Sequence, residues 1–147
     1  MDSLQASRIA GGNSAAGRRQ SDLYPTPPEV TVALMRFLNF PSGVSVWEPA
    51  AGDGDMADVI SQYAFPIYVT DIRDGTDFLK SCIDDADWII TNPPFSIAEE
   101  FIRHAAELNK PFAMLLKAHY WHAATRAKLF EELPPSYILP LTWRPDF

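Results

Sequence analysis

The sequence predicts one α/β domain built on a mostly parallel sheet, with helices on both faces. Three observations carry that prediction. Short apolar runs alternate with stretches of helical spacing along most of the chain. The length of 147 residues, 47 % of them hydrophobic, suits one such core rather than two. Polar residues and tight turns sit just beyond the strand-like runs, where parallel sheets place their ligands.

Residues 1–21, rich in Ser, Gly, Ala and Arg, read as a flexible segment ahead of a domain spanning 22–147. The proline-rich stretch DLYPTPPEV follows, with Pro28 suited to a helix start. Val30, Ala33, Leu34, Phe37 and Leu38 then recur at helical spacing up to the break Pro41 to Gly43. Val44 to Trp47 form a short strand ending in Glu48-Pro49, and the turn AAGDGD leads into a helix carrying Met56, Val59, Ile60 and Tyr63. Pro66 stops that helix, and Ile67 to Thr70 form a second strand ending at Asp71. DGTDFLKS supplies a turn, and Trp88 to Thr91 a third strand.

That third strand breaks at once into Asn92-Pro93-Pro94-Phe95. Neither proline donates to a ladder, and each stiffens the residue before it, so the backbone here is fixed and extended. Ser96 is placed to cap a helix with the stripe Ile97, Phe101, Ala105 and Leu108, and Glu99 and Glu100 favour its positive end. Phe112 to Leu116 form a strand, Ala123 to Leu133 a helix, and Tyr137 to Leu141 a last strand before TWRPDF.

Charge and composition narrow the function. A net charge of −7 is unusual for a protein that grips a phosphate backbone. The charge is nevertheless uneven. Ten acids between Glu48 and Asp87 face only Arg73 and Lys80, whereas Arg103, Lys110, Lys117, Arg126 and Lys128 outnumber Glu107 further on. One cysteine, Cys82, excludes an internal disulfide and reads as buried or incidental; with three scattered histidines it offers no metal cluster. No membrane span or signal peptide is recognisable, and the expected location is cytoplasmic.

The loop Glu48-Pro49-Ala50-Ala51-Gly52-Asp53-Gly54 lacks both GxGxxG and a lysine-bearing phosphate cradle. Its acidic flanks suit a positively charged or sugar-bearing cofactor. Asp71, ending a strand, is placed to accept from a ribose diol, though a helix cap or solvated turn is the commoner use of such an acid.

Taken in order, these segments resemble the S-adenosylmethionine-dependent DNA adenine-N6 methyltransferases. EPAAGDG resembles their cofactor loop, VTD their ribose-binding acid, GTDF the segment whose acid meets the cofactor's adenine amine, and YPTP the stretch lining its methionine side. NPPF is similar to their catalytic signature [DNS]PP[YFW]. The resemblance spans residues 22–147 and is strongest to small phage and prophage enzymes, including the LTWRPDF ending.

The resemblance implies a Rossmann-like methyltransferase fold, S-adenosyl-L-methionine as cofactor, double-stranded DNA as partner and a bacterial host cytoplasm. It also implies a further antiparallel strand and hairpin beyond Phe147, so the domain is expected to be incomplete at that end. Tyr24, Pro25, Thr26, Glu48, Ala51, Gly52, Asp71, Asp77 and Phe78 would hold the cofactor. Asn92 and Pro93 would accept hydrogen bonds from the target amine, Pro94 would stiffen the loop, and Phe95 would stack on the extruded base. Trp143 is a further candidate wall of the base pocket, and the cluster Lys117, His119, Tyr120, Trp121, His122 and Arg126 a candidate DNA contact. Cytosine N4, an RNA base or a protein glutamine amide remain alternative substrates for the same motif. A non-catalytic cofactor- or nucleic-acid-binding module is a third reading.

Overall fold

The structure, a computed structural model, describes residues 24–147, so the reading of 1–21 lies outside the described residues. Strands β1 (Val46–Glu48), β2 (Ile67–Val69), β3 (Trp88–Thr91) and β4 (Phe112–Met114) form one parallel sheet in the order β2-β1-β3-β4. Register is set by Trp47 opposite Tyr68 and Ile89, and by Ile90 opposite Ala113. The chain therefore leaves β1 towards β2, then crosses back to β3 and β4. The connections after β1 and β3 diverge, which opens a crevice at their carboxyl ends.

Strand alternation explains how both faces are covered. Val46 and Ile90 point to one face, where Met35 from α1 (Pro28–Leu38), Met56 and Ile60 from α2 (Asp55–Ile60), and Ala64 complete a buried cluster. Trp47 and Ile89 point to the other, against Phe78, Ala86 and, from α3 (Ala98–Glu107), Phe101 and Ala105. A third cluster lies outside α3, where Ala98 and Ile102 meet Tyr120 and Leu129 of α4 (Ala127–Glu132).

At the amino ends of the strands, Asp87 Oδ2 accepts from the Ser45 N–H at 2.9 Å and from its hydroxyl at 3.0 Å. The Asp87 N–H in turn donates to Ser45 Oγ at 2.9 Å. This lock joins the entries of β1 and β3. Among the described residues, no helix is long and apolar enough to cross a membrane.

Several local expectations are corrected. Tyr137 to Leu141 forms no strand: prolines 134, 135 and 140 flank and interrupt it, and Tyr137 instead sets its ring edge-on against Phe37 at 5.4 Å. Phe37 is nevertheless 48 % exposed to solvent, and the helix buries Met35 and Thr31, both outside the expected stripe. Residues 124–126 make a 3-10 turn, which shortens the expected helix to α4. Phe95–Ile97 is likewise a 3-10 turn, so α3 starts at Ala98 with Ile97, not Ser96, at its cap. Cys82 is exposed and donates to Asp84 Oδ1 at 2.9 Å.

Candidate active site

Three loops at the carboxyl ends of β1, β2 and β3 converge, together with the stretch that precedes α1. Glu48 ends β1 and is only 1 % exposed. Its Oε1 accepts from the Ala50 N–H at 3.0 Å and from the Thr91 hydroxyl, the last residue of β3. Burial pushes its pKa up from 4.5 to about 7; the Thr91 and Ala50 hydrogen bonds work against that rise, and the charge of Asp71 adds to it. The carboxyl group thus bridges the two strands between which the crevice opens.

Asp71 lies just past β2 and is 4 % exposed. Gly52, at φ 55° in the left-handed region, donates its N–H to Asp71 Oδ2 at 2.7 Å. The other oxygen takes the Arg73 N–H at 2.9 Å and the Arg73 Nε at 3.1 Å. Burial opposes ionisation of Asp71, but the N–H groups of Arg73 and Gly52 and the guanidinium outweigh it and hold the pKa below the usual carboxylate range. Arg73 also reaches Asp53 at 3.1 Å, so its side chain ties the loop after β2 to the loop after β1.

The Asn-Pro-Pro-Phe segment leaves β3 directly. Thr26, buried, accepts from Asn92 Nδ2 at 3.1 Å, which fixes the orientation of the amide. Among the described residues, Asn92 Oδ1 is buried without a hydrogen-bond partner. A buried carbonyl oxygen without a donor costs about 1–3 kcal/mol, so a ligand that brought a donor to this point would be favoured. Pro93 is buried, and Pro94 and Phe95 are half-buried. The Phe95 ring meets Tyr24 at 6.1 Å and carries the Lys117 ammonium 4.2 Å from its centroid.

The remaining candidates fall in different places. Pro25 is exposed and Ala51 half-buried, both adjoining residues already named. Asp77 caps a 3-10 turn, accepting the Leu79 N–H at 3.1 Å, and pairs with Lys80 at 3.3 Å. Phe78 is a core residue, 2 % exposed, with its ring among Trp47, Phe101 and His104. Trp143 lies in the irregular tail, 42 % exposed. Of the basic and aromatic cluster after β4, Lys117 reaches Phe95. Trp121 stacks on Phe130 at 4.1 Å, and Arg126 covers the Tyr120 ring at 3.8 Å. His119 and His122 are exposed.

Thr91 and Arg73 belong to the site although sequence reasoning did not select them. The available signals were a hydroxyl residue closing the apolar run WIIT, and one of only two bases in an acidic stretch.

Comparison with protein-family models, curated proteins and solved structures yields no match to this chain.

Proposed function

We propose that this chain is an S-adenosylmethionine-dependent methyltransferase of Rossmann-like fold that acts on the exocyclic N6 amine of adenine in DNA. The observation that carries the reading is Asn92 Oδ1, a buried acceptor that has no donor among the described residues. It follows a parallel strand at the mouth of the crevice, in a loop held by two prolines and by Thr26.

The residues present fit the cofactor. Acidic side chains and the Asn92 carbonyl oxygen favour a cation, and the loop after β1 has no lysine-bearing phosphate cradle to compete with them. Asp71 has about four acceptor positions, of which three are used by Gly52 and Arg73. The remaining position would take one ribose hydroxyl, and withdrawal of Arg73 Nε would free a second. When bound, S-adenosylmethionine supplies a methyl group activated on a sulfonium.

The protein's part is to place the amine. Asn92 Oδ1 would accept one N–H, and the Pro93 carbonyl the other, which turns the nitrogen lone pair out of conjugation with the ring. The nitrogen gains the methyl group and loses one proton to solvent. No covalent enzyme intermediate is needed, and the rate gain is one of position. Phe95 would provide the stacking face for the base, whose extrusion costs a few kcal/mol.

A second reading rests on the net charge of −7, which is poorly matched to a polyanion. A protein glutamine amide presents the same planar NH₂ to Asn92 without the phosphates.

The test is transfer of labelled methyl from S-adenosylmethionine to unmethylated duplex DNA, RNA and protein in parallel. Label in N6-methyladenine supports the first reading, and label in protein alone the second. Binding of the cofactor without transfer to any acceptor would favour a non-catalytic module. Asn92→Ala is expected to keep cofactor affinity while transfer falls by about a hundredfold or more. Unchanged transfer would remove Asn92 from the reaction.

A further inference from the structure

Among the described residues, the lysines differ in what satisfies them. Lys80 pairs with Asp77, Lys128 with Glu132, and Lys110 donates to the carbonyls of Asp84 and Ala86. Lys117 makes no ion pair among the described residues, in a chain with 19 acids against 12 bases. Its ammonium rests on the ring of Phe95, 4.2 Å from the centroid. An exposed cation on an aromatic face is held weakly enough to be exchanged.

The geometry of that contact matters because Phe95 has two faces. Tyr24 meets the ring at 6.1 Å, tilted by 33°. Lys117 covers one face of the same ring, and a base stacking on that face would have to displace it. The backbone holds the lysine there: Leu115 N–H extends the β4 ladder to the Thr91 carbonyl at 3.0 Å, and the Lys117 carbonyl accepts the Tyr120 N–H at 2.9 Å. The stem is thus anchored beside the catalytic loop while the charged end is free to move.

We propose that Lys117 is a substrate-positioning residue that exchanges partners. It covers Phe95 when no base is present, and it yields the ring to the extruded adenine while its ammonium takes a phosphate flanking that nucleotide. The inference rests on the DNA reading of the site. It supplies that reading with a cation at the one point where an acidic protein needs it, and it gives the ring a placeholder that shields it from water between turnovers.

The test compares wild type with Lys117→Met, which keeps the apolar stem, and Lys117→Arg, which keeps the charge. DNA binding is measured on a mixed-sequence duplex from low to moderate salt, alongside steady-state transfer and S-adenosylmethionine affinity. For Lys117→Met the log–log salt slope is expected to become shallower by about one. KM for DNA should rise several-fold, while kcat stays within about twofold of wild type and cofactor affinity is unchanged. Lys117→Arg should restore the slope and KM.

A Lys117→Met slope equal to that of wild type would overturn the proposal, and so would a fall in kcat or cofactor affinity, because a residue that merely props Phe95 would lower those. Transfer by the wild type to DNA, with no change in the variant, sinks this inference and leaves the methyltransferase reading intact. Absence of DNA transfer by the wild type sinks the DNA reading and this inference with it.

Discussion

At the residue scale, the two buried acids of the site are shifted in opposite directions by their surroundings. Asp71 is kept ionised by three N–H donors, whereas Glu48 is pushed to about 7 by burial. The sign of the Glu48 effect follows from linkage. Its folded pKa exceeds the ordinary 4.5, so the folded chain binds more protons between pH 4.5 and 7, and stability falls as pH rises through that window. The full difference is at most about 3 kcal/mol. Glu48→Gln is expected to flatten the decline, which urea titrations at pH 4.5 and 7.5 would measure; an unchanged pH dependence would mean that Glu48 is not the group responsible. Asp71→Ala is expected to weaken cofactor affinity about tenfold or more through loss of its charge-assisted hydrogen bonds, as read by calorimetry. Asp71 and Asn92 were legible in the sequence because each ends a strand-like run. Arg73 was not selected, and Thr26 was named for the cofactor and not as the partner of Asn92. A guanidinium two residues from its carboxylate, and a hydroxyl 66 positions from its amide, are facts of chain path that side-chain type does not encode.

At the element scale, the alternation of apolar runs identified all four strands of the sheet, and the errors fell at their margins. Val46–Glu48 starts two residues later and ends one later than the expected run, with Glu48 itself a buried strand residue. The aromatic and aliphatic run Tyr137 to Leu141 has strand composition, yet no backbone hydrogen bond joins residues 134–147 to the rest among the described residues. Composition favours a pleated surface, but it does not supply a partner edge. The burial of α4 rests on Leu129, fully enclosed with Tyr120, Ala98 and Ile102. Leu129→Ala is expected to cost about 2–5 kcal/mol in a denaturant titration. Because Tyr120 shares that cluster, the loss should also loosen the turn carrying Lys117 and raise KM for DNA; a stable variant with unaltered KM would show the turn to be independent of α4.

At the scale of the whole molecule, the two ends of the sheet have different duties. The Ser45–Asp87 lock joins β1 to β3 at their amino ends, far along the strands from the candidate site. Ser45→Ala is expected to lower the melting temperature by several degrees while cofactor affinity stays unchanged, because two hydrogen bonds are lost at a position remote from the loops. A comparable loss of affinity would mean that the ends are not separable. At the carboxyl ends, the Glu48–Thr91 bridge joins the same two strands. On the proposed function one of the two loops would serve the cofactor and the other the amine, so whatever stiffens either through this carboxyl group would stiffen both. Thermodynamic reciprocity then applies: occupancy of one subsite tightens the other by the same factor that it receives in return. The two ligands of this protein should therefore bind cooperatively, and Thr91→Val should make them strangers to each other.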